Sequence, residues 1–505
     1  MPVPASRLTR GNDRTVRSDG QYVLYWSTAA RRTTWNFGLD RALEHCLALK
    51  KPLLVLEALR VGHRWASARF HTWVLQGMAD NARRYRAAGI AYYPYIERMP
   101  DEGKGLVEAL AQDAAIVVSD DWPAFFFPNM LRAVGARLAV AFELVDGNGL
   151  VPMRAAGRAF PTAYAFRRYL QGRIPVELAQ MPAADPLASA GGLAVDVPGR
   201  ILDRHPPADA ALLAADATAL AVLPIDHTVA AVSRRGGEDA ARAHLGTFLE
   251  ERLARYDEDR SAPDREGQSG LSPALHWGHL SAHEIVAAVL AHEGFRPDRA
   301  GHVTNGSRTG FWALSPSAEA FLDELITWRE LGFNFAAHRD DIDRYESLPT
   351  WAQSTLAAHA EDARPHRYTL EELAAARTHD PLWNAAQRQL RADGIIHNYL
   401  RMLWGKKVLE WTSSPQQAAN FLIELNNRFA IDGRDPNSYS GIFWCLGRYD
   451  RPWGPLRPIF GSVRYMTSEN TAKKWPVKQY LARWADGTNQ LAAKHRDQQR
   501  SLPLS

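Results

Sequence analysis

Between Tyr22 and Phe142, short apolar runs alternate with stretches of helical period, and this alternation limits the first third of the chain to one kind of architecture. Tyr22–Trp26, Pro52–Leu56, Ile90–Tyr95, Ala114–Val118 and Arg137–Phe142 read as strands. Trp35–Leu49, Ala66–Ala88 and Lys104–Gln112 read as helices between them. Strands buried on both faces need no polar alternation, so these runs point to βαβ units and a parallel sheet. The expectation is a Rossmann-like parallel α/β domain over 20–182, with ligands bound beyond the carboxyl ends of its strands. No G-x-G-x-x-G follows the first run and no G-x-x-x-x-G-K-[ST] occurs, which argues against a dinucleotide fingerprint or a P-loop.

After residue 182 the pattern changes. Residues 183–236 are rich in Ala, Pro and Asp and read as an interdomain linker with room for one helix. Over 237–490, helical periods follow one another between Gly and Pro punctuation: 238–257, 281–293, 316–332, 351–361, 369–377, 380–391, 396–411 and 415–429. That part is expected to be all helical. With 505 residues and 46% apolar composition, both parts have ample core material. No run approaches the roughly 18 apolar residues of a membrane span. Residues 1–20 read as a loose basic arm, without an apolar segment behind their arginines. The two cysteines, Cys46 and Cys445, are too few for a disulfide framework. A soluble, cytoplasmic protein is expected. The net charge of +4 says little, but the segment from Gly461 onward carries eight Lys/Arg against three acids. It is either a solvated helix or a footprint for phosphates.

Hydrolase and metalloenzyme signatures are missing: there is no HExxH, no paired CxxC and no G-x-S-x-G. His276 and His279 lie three apart without a third candidate ligand, so they read as core or capping histidines and no metal is expected. Gln268-Ser269-Gly270-Leu271-Ser272-Pro273 combines small and hydroxyl residues before a helix start, which suits either simple capping or a diphosphate cradle. Trp404 and Trp411 share a helix face two turns apart, and Trp383 precedes them in Asp380-Pro381-Leu382-Trp383-Asn384. Such indoles form either core or stepping stones for an electron. Asp432-Gly433-Arg434-Asp435-Pro436-Asn437 is an ordered turn by composition. Glu330 is an acid on an otherwise apolar helix face, either salt-bridged or a protonated donor in a pocket.

From about Gln21 to Trp484 the chain resembles the photolyase/cryptochrome family, and in particular its class II cyclobutane pyrimidine dimer photolyases. The motifs are Thr-His-Asp-Pro-Leu-Trp-Asn (378–384), Arg401-Met402 through Trp411, Asp432 through Asn437, Gly441-Ile442-Phe443-Trp444 and Phe460-Gly461-Ser462-Val463-Arg464-Tyr465-Met466. The resemblance implies an antenna-type α/β domain and a helical domain that binds FAD, active in its reduced form, and UV-damaged DNA. It implies that Gln268, Ser269, Gly270, Leu271 and Ser272 hold the FAD phosphates. Asn334, Gly433 and Asn437 join the cofactor site, Asn426 faces the flavin ring, and Arg401 pairs with Asp432. Trp404, Trp383 and Trp411 form the photoreduction chain, in that order outward. Glu330 meets the dimer carbonyls, Met402 and Trp444 line the lesion pocket, and Arg451 and Arg464 contact DNA. The chromophore of the antenna domain stays unassigned, and the expected form is a monomer. The implied activity is light-driven splitting of pyrimidine dimers, with a cryptochrome-like photoreceptor as the alternative. Leu403 and Gly405 stand where the family commonly has Tyr and Ala.

Overall fold

A computed structural model describes residues 2–190, 194–296, 301 and 303–485. By contacts the chain divides into two units. The first comprises Met1–Ala254, Ser269–Ile342 and Ile431–Tyr439; the second comprises Arg255–Gln268, Asp343–Ala430 and Ser440–Ser505. This division differs from one drawn by connectivity, since helices on both sides of residue 269 pack with the α/β part.

The first unit holds a six-stranded sheet of order β1-β6-β5-β2-β3-β4. Its strands are β1 (Leu8–Arg10), β2 (Tyr22–Ser27), β3 (Leu53–Leu59), β4 (Ala91–Ile96), β5 (Ala114–Asp120) and β6 (Phe142–Val145). All neighbours are parallel except β1, which runs antiparallel to β6. Alternation along β2 splits the core: Tyr22, Leu24 and Trp26 pack on one face, Val23 and Tyr25 on the other. The run expected over Arg137–Phe142 is instead a helix end and a loop, with the strand beginning at Phe142.

The amino-terminal arm is not loose. Leu8–Arg10 pairs with the sheet, and buried Arg7 donates to the carbonyls of Asp146, Gly149 and Leu150 at 3.0, 3.1 and 2.6 Å. A guanidinium's rigid fork satisfies several carbonyls at once, which explains how this arginine is tolerated inside. Past β2, Asp120 Oδ2 accepts the backbone N–H groups of Thr28, Ala29 and Ala30 at 2.8, 2.7 and 2.9 Å, shaping the loop at the carboxyl end of the sheet. Among the described residues of 183–236 lie three short α-helices, Gly199–Arg204, Ala210–Leu213 and Ala217–Ala221, and a 3-10 turn at Pro186–Ser189.

The second unit is helical, built around Pro381–Asp393, Asn398–Trp411 and Pro415–Phe429. Among the described residues no helix is long and apolar enough to cross a membrane. Of the basic tail, Lys494, Arg496 and Arg500 lie outside the described residues.

Candidate active site

Asp380 starts the helix Pro381–Asp393 by accepting the N–H groups of Leu382 and Trp383 on Oδ1, both at 3.0 Å, with Pro381 in the first turn. That cap aims Trp383 at the helix Asn398–Trp411. The rings of Trp383 and Trp404 stack at 6.4 Å, tilted by 5°, and Trp383 meets Trp411 edge-on at 5.5 Å. Trp383 is thus the middle member of the column. Its indole N–H donates to the Trp404 carbonyl at 3.0 Å, and the Trp404 indole donates to Gln387 Oε1 at 2.9 Å. All three indoles are buried and two of the three have their N–H bonded in this way, so their orientations are fixed.

Further along the same helix, buried Lys406 donates to the Cys445 carbonyl at 2.7 Å and sits 5.3 Å from the Trp444 ring centre. Burial brings its ammonium down to about 8. A ladder of cations and indoles continues outward. Arg464 lies 5.7 Å from Trp444 and 5.0 Å from Trp453, and Arg451 lies 4.5 Å from Trp453. Arg464 and Arg451 are held over ring faces, keeping these long side chains in place without burying their charge, whereas Lys406 is buried. Trp453 escaped the sequence reading; its signal was an indole flanked by Arg451 and Pro452. Gly405 explains one departure from the family pattern, since a Cβ there would lie 2.5 Å from Cys445 Sγ. Arg401, Met402 and Asn426 belong to this second unit. Met402 is half-buried, and the Asn426 amide donates to Asn427 Oδ1 at 3.4 Å.

In the first unit, the turn that follows Gln268 is clamped by side chains. His244 Nε2 bonds the Ser269 carbonyl at 2.7 Å and Arg234 donates to the Gly270 carbonyl at 2.8 Å. Gly270 has φ 65°, and a Cβ there would press 2.9 Å from both Arg234 and His244. The side chain of Ser272 donates to Asp432 at 2.8 Å, while Asp435 engages His276 Nδ1 at 3.2 Å and accepts the Asn437 N–H at 2.8 Å. The segment 432–437 is therefore tied to the 269–276 turn by two carboxylates. A cramped glycine cradle beside an arginine, with serines on either flank, fits a diphosphate. His279 accepts the Gly237 N–H at 2.9 Å, as a core histidine does.

Glu330 and Asn334, one turn apart on the helix Arg329–His338, are engaged by the α/β part of this unit. The carboxylate of Glu330 accepts the N–H groups of Leu150 and Val151 at 2.7 and 3.2 Å. Asn334 accepts the Phe160 N–H at 3.1 Å and donates to the carbonyls of Arg158 and Met153 at 3.0 and 3.4 Å. Burial raises the Glu330 carboxyl to about 7, against the pull of those amides and of Arg329 and Arg7. A Cβ on Gly149 would lie 2.6 Å from its carboxyl carbon. The hydrogen-bonding capacity that sequence reasoning assigned to a lesion and a cofactor is thus occupied by residues 150–160. The same helix is preceded by a π-helical turn, Asp323–Trp328, which holds half-buried Glu324. Such turns concentrate at functional sites, and a π-turn leaves no mark in sequence periodicity.

At the carboxyl ends of β2, β3 and β5 a cavity is lined by Trp26, Trp122, Phe125, Phe126, Phe127 and Trp277 among others. Arg434 reaches it, its guanidinium 3.9 Å from the Phe70 ring centre and lowered to about 10 by burial. The cavity occupies the place where open α/β sheets take ligands.

No family model matches the chain. It is 32% identical over 487 residues to a deoxyribodipyrimidine photo-lyase of Methanothermobacter thermautotrophicus, covering 95% of this chain and 98% of that one. Enzymes of the same name from Potorous tridactylus and Oryza sativa are 32% and 33% identical, with 92% of this chain covered in each and 81% and 87% of the relatives. The fold is that of a bacterial class III photolyase from Agrobacterium tumefaciens, at TM-score 0.68 and 18% identity, covering 92% of this chain and 86% of that one.

Proposed function

This chain belongs to the photolyase/cryptochrome family, and on that premise we propose that it is a class II enzyme that splits cyclobutane pyrimidine dimers in UV-damaged DNA under light. The observation that carries this reading is the pairing, in one unit, of a buried indole column with a ladder of cations and indoles. The column suits electron movement, and the ladder suits phosphates and unstacked bases. A photoreceptor needs only the first. FAD, when bound, supplies light-driven one-electron chemistry.

The chain's own residues do the rest. Gly270, Arg234 and the Ser272–Asp432 bond fit the FAD phosphates, with Gly433 and Asn437 keeping the segment's shape. Arg401 and Asp432 set the charge near the flavin ring, and Asn426 faces it. Trp404, Trp383 and Trp411 carry electrons inward. A dimer inside a duplex is hidden and has to be flipped out at a cost of roughly a few kcal/mol, less for a poorly stacked lesion. Met402 and Trp444 offset that cost by packing against the bases, while Arg451 and Arg464 hold the backbone. With both Glu330 oxygens engaged by amides, we assign Glu330 and Asn334 to bracing residues 150–160. Glu324 takes the part of the acid that meets the dimer carbonyls. The aromatic cavity is the antenna site, suited to a planar chromophore. The free thiols of Cys46 and Cys445 fit a reducing, cytoplasmic setting.

The test is repair of a thymine-dimer oligonucleotide by the FAD-loaded, reduced protein with and without blue light, beside a (6–4) photoproduct control. Light-dependent recovery of thymines from the first substrate alone supports the reading. Flavin binding without repair favours the photoreceptor.

A further inference from the structure

Lys406 and Lys407 are both buried on the helix Asn398–Trp411, but they are satisfied differently. Lys407 has an ordinary acidic partner, Glu410 at 3.0 Å. The Lys406 ammonium instead donates to the Cys445 carbonyl at 2.7 Å, one residue past the helix Pro436–Trp444, and lies 5.3 Å from the Trp444 ring centre. A methionine of similar length would bury there without the cost of desolvating a charge. What the ammonium adds is attraction to a carbonyl at the negative end of a helix and to an indole face. Both contacts act on the same object, the helix end that carries Trp444.

A second tie joins the same places. The Cys445 thiol reaches the Met402 carbonyl at 3.7 Å, one turn before Lys406, so residue 445 is held at two points of one helix. Trp444 also has a second cation, Arg464, 5.7 Å from its ring centre, and that one is exposed. DNA acts differently on the two. An exposed guanidinium can exchange a ring face for a phosphate. A buried ammonium cannot, so Lys406 stays with the indole when Arg464 leaves it.

We propose that Lys406 is a positioning residue for lesion recognition, a latch whose ammonium holds the Trp444 indole in place by binding the end of its helix and its ring together. This rests on the reading of Trp444 as a wall of the lesion pocket. The latch depends on charge, because a neutral amine keeps neither the attraction to the ring nor the strong bond to the carbonyl. Burial is the largest influence on that charge; Cys445 and Asp450 favour the ammonium, and Arg464 opposes it. With its titration brought to about 8, Lys406 is mostly charged at neutral pH and loses its proton in mildly alkaline solution.

The experiment measures binding of a thymine-dimer oligonucleotide and of its undamaged counterpart by the full, FAD-loaded chain in darkness, from neutral to alkaline pH. The ratio of the two affinities is the lesion preference. In the parent protein it should fall about 10-fold as pH rises through about 8, a loss at the lower end of what one base stacked on an aromatic ring is worth. Lys406→Met should show the low preference at every pH. Its affinity for undamaged DNA and its salt slope should not change, because a buried ammonium meets no phosphate. Lys406→Arg keeps its charge throughout and should hold the preference high where the parent loses it. Retained flavin and near-ultraviolet dichroism report folding; where a variant does not fold, the parent's own profile decides. A flat parent profile, a Met variant with the parent's preference or a lower salt slope, or an Arg variant that falls with pH as the parent does overturns the latch. Trp444→Ala separates this from the pocket reading. If it loses the preference while Lys406→Met does not, the latch alone falls; if it keeps the preference, the pocket reading falls and takes the latch with it.

Discussion

Trp383 is bonded to Trp404 twice over, by a stack with 5° between ring planes and by its indole N–H on the Trp404 carbonyl at 3.0 Å. The second contact fixes the first, because rotating the indole breaks a buried hydrogen bond worth about 1–3 kcal/mol. Since Trp383 also touches Trp411, it is the link whose loss divides the column. Trp383→Phe should abolish photoreduction of oxidised FAD while leaving repair by chemically reduced enzyme near the parent level. Steady illumination with an external reductant checks the first half, and anaerobic repair after dithionite treatment checks the second.

The Glu330 carboxylate and Gly149 make a lock whose two halves depend on each other. Gly149→Ala forces a methyl against the carboxyl carbon, and Glu330→Gln turns an N–H donor toward a backbone N–H. Each should cost about 1–3 kcal/mol in denaturant unfolding. The pH dependence has a defined sign. The folded carboxyl titrates near 7, above its ordinary 4.5, so its contribution favours the folded state fully below about 4.5 and is lost as pH rises through about 7. The Gln variant should lack that step. Equal pH profiles for the two proteins contradict the lock.

Gly405 and Cys445 form a packed pair in which one side is a missing methyl. Gly405→Ala gains roughly 1 kcal/mol of helix propensity but forces the thiol to move, so alone it should be neutral or destabilising. In the background of Cys445→Ala the same change should be stabilising. A double-mutant cycle reads the coupling; simple additivity removes it.

Arg451 and Arg464 differ from Lys406 in exposure, and their roles in DNA binding should differ with it. Arg451→Ala and Arg464→Ala should each weaken binding of damaged oligonucleotide and reduce the salt slope by about 1. Binding titrations between low and moderate salt measure both effects, and an unchanged slope excludes the phosphate contact.

Much of this was legible in the sequence. Strand and helix order from β2 through β5 followed from period alone, because parallel strands carry unbroken apolar runs, whereas β1 lay in the segment read as a loose arm. That Trp404 and Trp411 share a helix face followed from their two-turn spacing, whereas the contact of Trp383 with both did not, since it lies on another helix 21 residues before Trp404. The role of Glu330 was not legible. A lone acid on an apolar face looks alike in sequence whether it faces a ligand or two backbone amides, and only the approach of Leu150 and Val151 decides between them. Arg7 was hidden for a related reason, since a buried arginine paired with carbonyls has the same sequence signature as a solvated one.

The most direct measurement illuminates FAD-loaded, reduced protein with an oligonucleotide carrying one thymine dimer and counts restored thymines by chromatography. Restoration in blue light, none in darkness, and no change in a (6–4) substrate are the expected result. Bound, reduced flavin and bound oligonucleotide with the dimer intact after illumination would contradict the account at its centre.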